Sequence, residues 1–70
     1  MKQQININGK EHIINNEPVN LGDKCIPKFA VDNNIPDIGI LEEKNNLRYI
    51  RINKNKTVSI NNTVLYKIDE

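Results

Sequence analysis

Between Ile38 and Ile68 three segments alternate apolar and polar residues, and each is parted from the next by a short Asn/Lys stretch. A side-chain period of two is the mark of a strand with one buried face, so this region reads as an antiparallel β-meander. Residues opposite each other in an antiparallel pair share a face of the sheet, and loop length sets which residues those are. A three-residue loop at Lys44-Asn45-Asn46 pairs Ile40 with Ile50 and Ile38 with Ile52, and sets Glu42 opposite Arg48 as an ion pair. A second such loop, Lys54-Asn55-Lys56, pairs Ile52 with Val58 and Ile50 with Ile60. Ile50, Ile52, Val58 and Ile60 are therefore expected to be buried together. Two turns compete for the last strand. A two-residue Asn61-Asn62 turn places Leu65 beside Val58 and sends Val64, Tyr66 and Ile68 to the other face; a longer turn through Thr63 keeps those three with Val58 and Ile60. The longer turn is preferred, because three large apolar residues outweigh one.

The N-terminal part carries a second signal. Asn8-Gly9 lies between Ile5-Asn6-Ile7 and Lys10 to Ile14, and a type I′ turn needs positive φ at both central residues, which Asn-Gly adopts at low cost. Strands are predicted at 3–7 and 10–14, with Ile5 and Ile7 on one face with His12 and Ile14. From 15 to 36 the chain reads as an irregular connection. Pro18 makes Val19 to Leu21 a brief strand or an extended crossing, and Pro27 and Pro36 leave room for at most one helical turn, at Lys28 to Asp32. Ile26, Phe29 and Val31 are expected to plug an open end of the sheet. The fold class is thus mainly all-β: a small antiparallel meander or partly open barrel of about five strands, in a single domain spanning 1–70.

Seventy residues bury only about 60% of the surface that the unfolded chain exposes, so stability is marginal and a homodimer would help it. Thirteen Asn, twelve Ile and eight Lys are the residues that AT-rich codons favour, so an Asn or Lys cluster is weak evidence of selection for function. The Asn residues fall singly or in pairs between apolar segments, as turn residues do. The sequons Asn55-Lys56-Thr57 and Asn61-Asn62-Thr63 are expected by chance at this Asn content. A single cysteine, Cys25, excludes a disulfide within the chain and a multi-cysteine zinc site, which fits a reducing cytoplasm. No secretory leader is expected, and no stretch approaches the roughly 20 apolar residues of a membrane span.

Chemistry-bearing patterns are sparse. Nucleophilic catalysis needs a hydroxyl or thiol beside a base, and Ser59, Cys25 and His12 fall in no such arrangement. No Cys, Asp or second His lies at metal-ligand spacing from His12, which reads as a half-buried strand residue; Cys25 reads as a small hydrophobe. Glu42 and Glu43 are adjacent on a strand and point to opposite faces, so they cannot act on one atom. Asp32, Asn34 and Asp37 fail the calcium-loop pattern, with Pro36 at a ligand position and no turn glycine. Leu21 to Phe29 resembles the opening of peroxiredoxins over nine residues, but with an insertion before the Pro, and the chain is too short and too poor in helix for their thioredoxin-like fold. No enzyme activity, cofactor or metal is implied.

Charge is asymmetric. Residues 1–43 hold four Lys and seven acidic residues, while 44–68 hold six basic residues and no acidic one. In the expected register the outward face of the meander carries Leu47, Tyr49 and Arg51, then Thr57 and Ser59, then Leu65 and Lys67, with Lys54 and Lys56 in the turn. An apolar and aromatic patch flanked by cations suits a protein partner, for which Tyr and Arg are frequent anchors. The first expectation is a non-enzymatic interaction protein, a regulator or inhibitor of the kind that phages and mobile elements carry, with no membrane role. The second is a small β-barrel binding RNA or single-stranded DNA through Tyr49, Arg51, Lys54 and Lys56, against which stand the net charge of +1 and the few aromatics. The third is a structural subunit that assembles by pairing sheet edges.

Overall fold

The computed structural model describes residues 2–69 and bears out the all-β class: seven strands form one open antiparallel sheet, accompanied by one short helix. The strands are β1 (Lys2–Ile7), β2 (Lys10–Asn15), β3 (Lys24–Pro27), β4 (Gly39–Lys44), β5 (Leu47–Asn53), β6 (Lys56–Ser59) and β7 (Leu65–Ile68), with α1 (Lys28–Asp32) after β3. Their order across the sheet is β1-β2-β7-β3-β4-β5-β6. The strand count exceeds the expected five in part because Lys24–Pro27, within the stretch expected to be irregular, is a strand; and the last strand does not follow β4, β5 and β6 as a fourth member of the C-terminal meander. β7 instead lies between β2 and β3, pairing Ile14 with Ile68 on one side and Ile26 with Tyr66 on the other.

The N-terminal hairpin forms as its sequence dictates. Asn8 and Gly9 take φ of 52° and 86°, Asn6 Oδ1 accepts a hydrogen bond from Gly9 N at 3.0 Å, and Ile5 pairs with His12. The β4–β5 turn also has two residues, Asn45 and Asn46, both in the left-handed region at φ of 54° and 64°. This overturns the three-residue loop. The true register pairs Leu41 with Ile50, Ile40 with Arg51 and Glu43 with Arg48, so Leu41 is inside and Ile40 is 37% exposed. β5 and β6 slip by two residues from expectation, with Ile50 opposite Val58 and an irregularity between Arg51 and Asn53. A two-residue slip preserves the faces. Ile50 and Ile60 are accordingly buried, while Ile52 and Val58 are half-buried.

Following these pairs across the sheet yields two cores on opposite faces. On the first face Ile7, Ile14, Ile26 and Ile68 are buried beneath Ala30 of α1, with Ile5, Val31, Ile38 and Tyr66 packed around them. On the second face Cys25, Leu41 and Ile50 are buried with Ile60, and Val19, Ile52 and Leu65 pack against them. The connection after β6 must pass β5, β4 and β3 to reach β7, and burial of Ile60 among Leu41 and Ile50 shows that it crosses this second face. β3 and β7 are therefore covered on both sides. Neither turn weighed for the last strand describes it: Tyr66 and Ile68 face the helix core, Leu65 faces the crossover core, and Val64 is 58% exposed.

α1 is short for local reasons. Pro27 precedes it, Asn33 Nδ2 donates to Phe29 O at 2.7 Å at its end, and Asn34 turns left-handed at φ 57°. Its plug is Ala30, fully buried, with Val31; Phe29 is 36% exposed and does not join the core. Val19 and Asn20 pair with no strand, and Leu21 lies in a turn closed by Asp23 N donating to Asn20 O at 3.0 Å; Val19 packs inward and Leu21 is exposed. No helix among the described residues is long and apolar enough to cross a membrane.

Candidate functional site

The helix face continues past α1 onto β4, β5 and β6, where no element among the described residues covers it. Strand alternation sends Leu47, Tyr49 and Arg51 of β5 to this side. Their cross-strand partners are Lys44, Glu42 and Ile40 on β4, and Ser59 and Thr57 on β6 stand opposite Tyr49 and Arg51. Tyr49 sits at the centre, half-buried. Arg51 Nε donates to Glu42 Oε1 at 2.8 Å, and its guanidinium carbon lies 5.8 Å from the centre of the Tyr49 ring. The Arg51 N–H, and after it the Tyr49 hydroxyl, hold the Glu42 carboxyl below its ordinary value; Glu42 in turn raises Arg51. Glu42, Tyr49 and Arg51 thus lie together on the sheet surface, Arg51 bonded to Glu42 and placed near the Tyr49 ring.

Beside that group lies a shallow groove lined by Leu47, Tyr49, Thr57 and Ser59, with Lys44 and Arg48 at the end nearest the Asn45-Asn46 turn. Leu47 is 62% exposed, an apolar side chain in water at the rim of a polar surface. The structure brings together Leu47, Tyr49 and Arg51 of the residues singled out from sequence. Lys54 stands apart in the β5–β6 turn, and Lys56 reaches away to the buried carboxylate of Asp37 at 3.2 Å. Leu65 and Lys67 do not belong to this surface. They lie on β7 and on the opposite face, Leu65 against the crossover core and Lys67 Nζ 3.8 Å from Asp23. Glu42 and Lys44 were not foreseen at the site, since the one-residue slip in register had assigned Glu42 to Arg48.

The charge asymmetry of the sequence largely cancels in space. Of the six cations in 44–68, Arg48, Arg51, Lys56 and Lys67 stand within ion-pair distance of Glu43, Glu42, Asp37 and Asp23, all from the acidic first part of the chain. Lys44 and Lys54 have no carboxylate partner among the described residues. Each exposed pair contributes little to stability, but together they remove the basic stripe.

Cys25 and His12 point to opposite faces. His12 shares the helix face with Ile14, whose partner Ile68 is next to Lys67, and Lys67 pairs with Cys25 on the crossover face. Burial pushes the Cys25 thiol up to about 11. No three His, Cys, Asp or Glu side chains converge on a cation-sized site among the described residues. Comparison with protein-family models, curated proteins and solved structures finds no match.

Proposed function

We propose that this is a non-enzymatic interaction protein that binds a protein partner through the uncovered face of β4, β5 and β6, with Leu47 and Tyr49 as anchors. The observation that carries the reading is Leu47, 62% exposed, at the mouth of a groove whose other wall is the half-buried Tyr49 ring, with the Arg51 guanidinium, bonded to Glu42, 5.8 Å from the ring centre. A partner side chain entering there meets an apolar and aromatic surface of the kind that anchors protein interfaces. Separation of Cys25 and His12 on opposite faces supports the non-enzymatic part, since nucleophile and base must lie within hydrogen-bond reach. Small size and codon-driven composition fit a regulator or inhibitor of phage or mobile-element origin, working in the cytoplasm.

The nucleic-acid alternative has less to draw on, because a backbone-tracking surface needs cations free to meet phosphates. Only Lys44 and Lys54 of the C-terminal set lack an ion-pair partner among the described residues. The deciding experiment is capture of partners from host lysate with and without nuclease, followed by affinity measurement on the purified complex. Tyr49→Ala and Leu47→Ala are each expected to weaken binding by about 1–2 kcal/mol or more, with Lys54→Ala near neutral and a shallow salt dependence. Loss of all capture on nuclease treatment, or a steep fall of affinity with salt, would transfer the function to nucleic acid.

A further inference from the structure

The sheet has two open edges, and they differ. β6 is four residues long, begins with Lys56 and pairs with β5 across an irregular stretch, all features that discourage another strand from adding to it. β1 is six residues long, pairs with β2 in an unbroken register, and from Gln3 to Ile7 contains no charge and no proline. The N-terminal edge therefore lacks the protection that the C-terminal edge has. Among the described residues nothing pairs with its outer side.

Which groups it offers follows from the hairpin. A two-residue turn is closed by a hydrogen-bonded pair, here Ile7 with Lys10, and such pairs alternate along the ladder, so Ile5 and Gln3 also bond inward. Gln4 and Asn6 then turn their backbone N–H and C=O groups outward. Their side chains are complementary to each other. Gln4 Nε2 donates to Glu11 Oε2 at 2.6 Å, leaving Oε1 to accept; Asn6 Oδ1 accepts from Gly9 N at 3.0 Å, leaving Nδ2 to donate.

We propose that two copies of this chain associate through β1, antiparallel about a two-fold axis at Ile5. This register sets Gln4 of each copy opposite Asn6 of the other. The four outward backbone groups of each strand are then bonded, and each free Nδ2 of Asn6 faces a free Oε1 of Gln4. Ile5 meets its own counterpart in a non-hydrogen-bonded pair, where Cα atoms come closest and apolar contact is best. Ile5 is half-buried and packs on the helix core, so the joined strands extend that core across the axis. Of the two-fold registers only the Ile5-centred one sets Gln4 against Asn6 and Ile5 against itself: centring on Lys2 opposes two cations, centring on Gln4 sets Ile5 against Gln3, and centring on Asn6 moves Gln4 onto the left-handed turn residue Asn8. Self-pairing is favoured over a foreign strand because donor and acceptor side chains match their own copies. The contact is smaller than a standard protein interface, and the dimer is correspondingly weak and concentration-dependent.

The test combines sedimentation equilibrium of the full chain up to millimolar concentration with two kinds of variant. Gln4→Pro removes an N–H that the chain itself does not use, and should weaken self-association at least about ten-fold while far-UV circular dichroism stays native. Ile5→Cys should cross-link to its own copy under mild oxidation as a disulfide dimer, since that pair alone brings equivalent Cα atoms within bridging distance. Gln4→Cys, opposite Asn6, should cross-link far more slowly, and buried Cys25 is a silent background in both. If Gln4→Pro unfolds, the two cysteine variants decide. A wild-type chain that stays monomeric, a folded Gln4→Pro variant that associates as before, or equal cross-linking of Gln4→Cys and Ile5→Cys would overturn the proposal.

Discussion

Truncating Leu41 and Ile40 separately tests the register of the central hairpin, because these neighbours exchange inside for outside on a one-residue slip. Leu41 is fully buried among Cys25, Ile50 and Ile60, whereas Ile40 is 37% exposed beside Arg51. Leu41→Ala removes most of a buried side chain and leaves a hole between two rigid strands, which costs about 2–5 kcal/mol. A chain of this length has a total stability of roughly 3.5–10 kcal/mol, so the variant is left near its unfolding threshold. At about 4–8 °C per kcal/mol, a loss of about 3 kcal/mol lowers the Tm by roughly 12–24 °C. Ile40→Ala loses only partly buried methyl groups and should cost about 1 kcal/mol or less. Urea titration followed by far-UV circular dichroism measures both. An Ile40→Ala loss equal to or larger than that of Leu41→Ala would refute the two-residue Asn45-Asn46 turn and restore the three-residue loop.

Gly39→Ala should destabilise by about 1–3 kcal/mol although the backbone there is ordinary, because the added Cβ runs into the backbone carbonyl of Arg51 and to 2.7 Å from Ile50 Cγ2; thermal melts read the loss. With a pKa of about 11, the Cys25 thiol is ionised in about one molecule per thousand at pH 8 and is fully buried, so a thiol reagent should label it only at the rate of unfolding. Fast labelling of the folded protein would refute its place in the crossover core. Glu42 has a folded pKa below its ordinary 4.5, so the stability it contributes is present above that pH and is lost as pH falls through the lower folded value. Acid titration of wild type against Glu42→Gln should therefore show curves that converge only below about pH 4.5, and parallel curves would remove the Arg51 contact.

Local chemistry made the first hairpin legible. Asn8-Gly9 admits one turn type, and that turn sets every pair from Ile7 with Lys10 outward. The β4–β5 turn was ambiguous for a physical reason. Ile40 and Leu41 are adjacent and both apolar, so either phase of the strand buries one of them, and the choice rests on Asn45 and Asn46 both accepting positive φ. Outward placement of Leu47, Tyr49 and Arg51 survived because the slip between β5 and β6 was even. The position of β7 was set by distant partners that alternation within a segment does not report. One signal pointed to it: Val64-Leu65-Tyr66 and Cys25-Ile26-Pro27 are continuous apolar runs, the pattern of strands covered on both faces, unlike the alternation of β5. Reading those runs as central would have removed Leu65 and Lys67 from the site.

The placement of β7 also shapes how the protein comes into being on the ribosome. β2 and β3 are made early, yet the strand that joins them is made after β4, β5 and β6, so neither can complete its ladder when it emerges. The two hairpins can close at once, since their contacts are local, but the halves of the sheet unite only when residues 65–68 clear the exit tunnel. Until then each half exposes an apolar edge that in the finished molecule lies at the centre. A slow-translating stretch before β7 would prolong that interval, and chaperone engagement of the nascent chain should be greatest there.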